Sequence, residues 1–266
     1  MNHVTKRLRP FIARREPVIP TAGDGEVILP EEGGSAPVYD RPGDDADQYR
    51  KYQVGRALPY VGTTLFELGA GTGDLSAAIK ARLGSRLGRL VLSDQDPEAR
   101  RHLRTRFPNA EVVDFSLPGE VTISEPVDTV ILANVLGHVY YGISAIEDIA
   151  KAVIPGGRII IWEAADLELY SEFDRKTGRY QRYTPQELAG FLRDAGLEVE
   201  VSRYLNLLGG IFSRRMVGRT KDYADPRLVR LYDRLVIPIS RLFDRLPLRF
   251  GQNVLVVARV PGTTGT

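Results

Sequence analysis

The chain has 266 residues, 43% of them hydrophobic, with 36 basic and 34 acidic side chains and a net charge of +2. That is enough apolar material for one substantial core, and the near balance of charge, without a zinc or aromatic recognition motif, argues against a nucleic-acid partner. With no cysteine there is no disulfide, thiolate nucleophile or cysteine metal site, no metal site is expected elsewhere, and the lack of an apolar leader or bilayer-length run points to a cytoplasmic protein.

Residues 1–44 scatter Pro10, Pro17, Pro20, Pro30, Pro37 and Pro42 among glycines and acids, with no helical or strand period. They read as an irregular arm, either a mobile tail or a segment folded over a ligand or a partner subunit. From Asp45 to Tyr60 an apolar stripe of Tyr49, Tyr52, Val54, Ala57 and Leu58 predicts a helix. An apolar strand, Thr63 to Leu68, then breaks into Gly69-Ala70-Gly71-Thr72-Gly73 and restarts at Asp74 as a helix. Glycines let backbone amides approach a ligand closely, and the amides of the following helix turn partial positive charge on the same point. A second strand closes on Asp94, at about the 20-residue spacing where a carboxylate accepts hydrogen bonds from the ribose of a nucleoside cofactor.

A helix from Pro97 to Phe107 carries Arg100, Arg101, Arg104 and Arg106, read most simply as a solvated face, with His102 a surface residue. Glu111 to Val113 is a short strand. Val127 to Leu132 is a longer one, whose carboxyl end runs into Asn134-Val135-Leu136-Gly137-His138. A helix from Ile143 to Val153 meets Pro155-Gly156-Gly157, and the next strand reaches Trp162 and Glu163. Thr184-Pro185-Gln186-Glu187 has the form of a capping box and starts another helix. After the alternating strand Leu197 to Tyr204, residues 205–248 interrupt the sheet before its last strand, Gln252 to Val260. In that insertion Leu228, Leu231, Leu235, Leu242 and Leu246 accompany Arg227, Arg230, Arg234, Arg241 and Arg245, predicting amphipathic helices broken at Pro238. Packing on the domain or on a second subunit is preferred there over contact with a membrane surface. Residues 261–266 read as a disordered tail.

The ordered set Glu67-x-Gly69-x-Gly71-x-Gly73, Asp94, Asp114, Asn134 to His138 and Pro155-Gly156-Gly157 resembles the class I S-adenosylmethionine-dependent methyltransferases. The resemblance implies a Rossmann-like α/β fold, with a seven-stranded mostly parallel sheet, helices on both faces, an N-terminal arm and a helical insertion before the last strand. The methyltransferase domain would be residues 45–260. It implies a cofactor site of Glu67, Gly69, Ala70, Gly71 and Gly73 at the methionine moiety, Asp94 with Gln95 at the ribose, and Asp114 with Phe115 near the adenine. Asn134 and Val135 would stand where cofactor meets acceptor. His138 reads either as the base that takes a proton from a hydroxyl acceptor or as a residue that shapes the pocket.

Within the insertion at residues 163–183, Leu169 to Tyr183 resemble the F-D-x-x-x-G-H-x-R-R-Y-T stretch of a bacterial subgroup associated with glycan or natural-product assembly, with Arg179 in place of that histidine. They read as an acceptor lid rather than a packing loop, with Tyr170, Phe173, Arg179, Arg182 and Tyr183, together with Tyr141 and Trp162, facing the acceptor. Residues 205–248 would serve as a cap. The expected activity is methylation of a small-molecule, glycan or lipid intermediate, at oxygen by preference, in a protein that is a candidate homodimer. A fold that binds the cofactor but catalyses a non-methylating step such as cyclisation, and an NAD-binding oxidoreductase, are the competing readings.

Overall fold

The structure, a computed structural model, describes residues 47–114, 117, 122–139, 142–216 and 226–262. The expected arm, Phe115, Tyr141 and the last four residues of the tail lie outside them. Seven strands form one sheet in the order β3-β2-β1-β4-β5-β7-β6. They are β1 (Thr64–Leu68), β2 (Arg89–Asp94), β3 (Glu111–Asp114), β4 (Val127–Ala133), β5 (Val153–Ala164), β6 (Glu198–Leu205) and β7 (Asn253–Arg259). The first five are parallel, and β7 runs antiparallel to both its neighbours. The order reverses between β1 and β4, so loops leaving the carboxyl ends of these strands diverge and open a crevice.

Both faces of the sheet are covered, as the nearly continuous apolar strands require. Phe66, Leu68, Val130, Leu132, Ile159 and Ile161 pack on one face against α4 (Gly142–Lys151) and α6 (Pro185–Asp194). The alternate residues Leu65, Leu92, Ile131, Ile160 and Trp162 face α1 (Asp47–Ala57), α2 (Asp74–Leu83) and α3 (Pro97–Arg106). The capping box is present at α6, where Thr184 N–H donates to Glu187 at 2.7 Å and Glu187 N–H returns to the threonine hydroxyl at 3.2 Å.

Three expectations change. The helix before β5 ends at Lys151, and β5 begins at Val153, so Ile154 to Gly157 form an irregularity inside the strand. Gly156 has φ +82°, and a Cβ on Gly157 would stand 2.7 Å from the Asp128 carbonyl oxygen. The arginines of α3 are not one solvated face, because Arg100 is buried. Finally, Pro238 does not break the insertion into separate helices. α8 (Pro226–Leu231) passes through a π turn at Tyr232–Val236 into α9 (Ile237–Phe243), with Ile237 N–H bonded back to Tyr232. A wider turn there absorbs a residue that cannot donate and whose ring would strike the preceding carbonyls.

Candidate cofactor and acceptor site

The glycine loop is built by the two elements that flank it. Gly69, Gly71 and Gly73 all have positive φ, at 64°, 55° and 76°, where a side chain would be strained. A Cβ on Gly69 would stand 2.7 Å from Val135, and one on Gly73 would stand 2.5 Å from Phe107. Ala70 N–H donates to the Ser93 carbonyl at 2.8 Å, and Gly71 N–H donates to Asp94 Oδ2 at 2.8 Å. The loop after β1 is therefore tied to the carboxyl end of β2, and the two halves expected from sequence meet in one site.

Glu67, expected at the methionine moiety, stands at the end of β1 just ahead of the loop. Its Oε2 accepts the amide and the hydroxyl of Ser76 inside α2. The side chain is buried, and burial pushes its pKa up to about 7 against the lowering effect of those hydrogen bonds. It fastens the loop to the first turn of α2.

Arg100, expected on a solvated helix face, instead ties together the ends of the strands that carry Asp94 and Asp114. One guanidinium nitrogen donates to the carbonyls of Asp94 and Gln95, each at 2.8 Å, and the other to Asp114 Oδ2 at 3.0 Å. The ends of β2 and β3 are thereby held together, with Gln95 and Asp114 exposed beside them. Arg106 reaches the Thr72 carbonyl and Asp74 at 2.6 and 2.7 Å. The signal for both was present in sequence, as arginines a turn or two into the helix that leaves a carboxylate-ended strand.

On the side expected to meet the acceptor, Asn134 leaves β4 with φ +59° while its amide donates to the Trp162 carbonyl at 2.7 Å. The following turn, Leu136–His138, carries His138 half-buried. Beneath it lies an alternating charge network. Glu163 Oε1 accepts the Leu136 amide at 2.7 Å, its Oε2 pairs with Arg179 at 3.0 Å, Arg179 reaches Asp174 at 3.3 Å, and Arg182 pairs with Asp174 at 3.0 Å. The Gly137 carbonyl accepts the amides of Tyr180 and Gln181, and Tyr183 donates its hydroxyl to the Leu136 carbonyl at 3.2 Å. Arg179, Arg182 and Tyr183, expected to face the acceptor, thus belong to the network packed against the turn that carries His138. Tyr170 donates to the Arg179 carbonyl at 2.6 Å, and burial pushes its pKa up to about 12. Phe173 sits half-buried on α5 (Glu172–Lys176).

Trp162 is buried, edge-on to Tyr49 and Tyr52 at 6.2 and 5.5 Å, with its indole N–H donating to the Tyr49 hydroxyl at 3.2 Å. α1 is pinned in turn by the insertion. Asp233 accepts the Gln48 and Tyr49 amides at 2.9 and 2.7 Å, and the buried Asp244 accepts from Tyr52 at 2.5 Å and Arg56 at 3.1 Å. Among the described residues no cluster of His, Asp and Glu could hold a metal ion.

The donor set fits a nucleoside cofactor. Asp94 presents carboxylate oxygens beside glycine amides, at the crevice that the strand order opens. Residues 66–159 match the family described as a methyltransferase domain. A ubiquinone/menaquinone biosynthesis C-methyltransferase UbiE from Methylococcus capsulatus is 31% identical over 59% of this chain, and the match spans 64% of that relative's length. Two solved structures share the fold. One is a chain of the complex containing the Haloferax volcanii Trm112 methyltransferase activator (18% identity, 83% of this chain and 95% of that one, TM-score 0.55). The other is the N-methyltransferase NodS from Bradyrhizobium japonicum, with S-adenosyl-L-homocysteine (17% identity, 84% and 89%, TM-score 0.51). With the loop, the acid and the domain match in agreement, residues 66–159 resemble a methyltransferase domain, and the sheet has the Rossmann-like fold of the class I S-adenosylmethionine-dependent methyltransferases.

Proposed function

We propose that the protein binds S-adenosylmethionine between the Gly69 to Gly73 loop and Asp94, and transfers its methyl group to a small-molecule acceptor seated near Asn134 and His138. The observation that carries this reading is the 2.8 Å bond from Gly71 N–H to Asp94, which sets loop and acid side by side. The cofactor supplies an electrophilic sulfonium methyl. The chain's own residues bind, orient and handle a proton. Asp94 accepts from ribose hydroxyls, Arg100 fixes the strand ends where the adenine would lie beside Asp114, and the Glu163–Arg179 network holds the turn that aims the acceptor. His138 takes the proton that a hydroxyl acceptor gives up. Alignment corresponds to effective molarities of about 10⁵ to 10⁸ M and a general base to about 10² to 10⁴-fold, so the rigid turn outweighs the histidine.

Oxygen is the acceptor atom preferred from sequence, while the UbiE relative is named a C-methyltransferase of quinone biosynthesis. A hydroxylated aromatic acceptor reconciles the two, because its ring carbons gain nucleophilicity when the hydroxyl loses its proton. Calorimetric titration with S-adenosylmethionine, S-adenosylhomocysteine and NAD(H) tests the cofactor. Saturable binding of the first two alone supports the proposal, and binding of NAD(H) alone overturns it. Transfer of labelled methyl to a panel of phenolic acceptors, with the product's methylated atom identified, then separates oxygen from carbon. Cofactor binding with no transfer to any acceptor favours a non-methylating role.

A further inference from the structure

The insertion before β7 has two faces of opposite chemistry. Its inner face carries Asp233, Ile237, Ser240 and Asp244, all buried, and holds α1 against Trp162. Its outer face shows Leu231, Leu235, Ile239, Leu242 and Leu246 to solvent, with Leu235 53% and Leu242 61% exposed. From Leu231 to Leu242 the spacing of four, four and three residues keeps them on one side of the helical segment, and Leu246 follows just past its end. α7 (Leu207–Met216) extends the patch, since Ile211 and Phe212 are also exposed and the Phe212 ring lies 6.0 Å from that of Tyr232 in the π turn. Scattered apolar residues on a surface are ordinary, but a contiguous stripe of this kind marks a contact face.

Charge identifies the contact. Across residues 226–246 the acids are Asp233 and Asp244 alone, and both are turned inward and buried. Arg234 and Arg245 are exposed beside the stripe, and every exposed charged side chain of this segment is basic. A second copy of the chain fits poorly, because a two-fold contact through the stripe would set one arginine rim against another with no exposed acid on the segment to meet it. No helix among the described residues is long and apolar enough to cross a membrane. A leucine stripe rimmed with arginine suits the boundary of an anionic bilayer, with the stripe at the acyl level and guanidiniums on lipid phosphates.

We propose that the outer face of α8 and α9, with Ile211 and Phe212 of α7, docks the protein peripherally on an anionic lipid surface. The inference goes beyond methyl transfer and stands without it. Docking leaves the insertion helix and α1 between the lipid and Trp162, at the carboxyl end of β5.

Co-sedimentation with vesicles of phosphatidylcholine, alone or mixed with phosphatidylglycerol, tests the proposal. The full chain should bind the mixed vesicles, bind the neutral ones far less, and dissociate as salt is raised. Leu235→Glu with Leu242→Glu, and separately Arg234→Glu with Arg245→Glu, should each lower the partition coefficient by more than about tenfold while leaving the melting temperature close to that of the parent. The arginine pair keeps the test intact if the leucine pair impairs folding. Absence of the parent chain from the mixed vesicles, or equal binding by both variants, overturns the proposal. Sedimentation equilibrium on the same samples identifies the other occupant: a dimer that the leucine pair abolishes, without vesicle binding, assigns the face to a second copy and also overturns it.

Discussion

Arg179 and Glu163 form a buried ion pair at 3.0 Å directly beneath the turn that carries His138, and Glu163 uses its other oxygen to hold that turn through the Leu136 amide. Removing one partner of such a pair strands a charge in the interior. Arg179→Met should destabilise the fold by about 3–5 kcal/mol in urea unfolding. Arg179→Met combined with Glu163→Gln should recover a large part of that loss. If the single substitution costs as little as an exposed pair does, the network does not hold the turn.

Arg100 and Arg101 are adjacent on α3 but differ in surroundings, the first buried across two strand ends and the second in an exposed pair with Glu98. Arg100→Met should cost about 1.5–3 kcal/mol of stability and weaken S-adenosylhomocysteine binding about tenfold. Arg101→Met should change stability by no more than about 0.5 kcal/mol. Thermal melts and calorimetry of the two variants side by side make the comparison.

Burial raises the Glu67 pKa to about 7 from an ordinary 4.5. The folded chain therefore holds a proton there that the unfolded chain has released, and stability falls as pH rises between about 4.5 and 7. The contribution is on the order of 3 kcal/mol. Glu67→Gln keeps an acceptor for Ser76 and cannot ionise, so melting temperature should rise relative to the parent above pH 7 (about neutral) and depend less on pH below it. An unchanged pH profile would contradict the assignment.

Asp233 caps α1 from 184 residues away, accepting the Tyr49 amide. Asp233→Ala should cost about 1–2 kcal/mol and speed hydrogen exchange at Gln48 and Tyr49, with Asp233→Asn intermediate. Exchange that rises equally across the sheet would instead point to global destabilisation.

The sequence alone determined the parts governed by local chemistry. Alternating glycines need no tertiary context to announce a close backbone approach, and the apolar strands and the Thr184 capping box follow from period and side-chain type, so the strands, the loop and Asp94 were legible in sequence, and the mostly parallel seven-stranded sheet through the family resemblance that the order of motifs carries. The tertiary structure decided what depended on charge partners far apart in the chain. Nothing in the run Arg100 to Arg106 distinguishes a buried guanidinium from a solvated one until β2 and β3 end beside it. Arg179 and Arg182 have the composition of ligand-binding groups, and only the arrival of Glu163 and Asp174 turns them inward. The insertion shows the same division. Its amphipathic period was written in the leucines and arginines, but which face meets the protein was settled by Asp233 and Asp244, whose partners on α1 lie at the other end of the chain. A carboxylate buried among amides and hydroxyls is satisfied only by partners that folding brings to it, and sequence spacing carries no record of them.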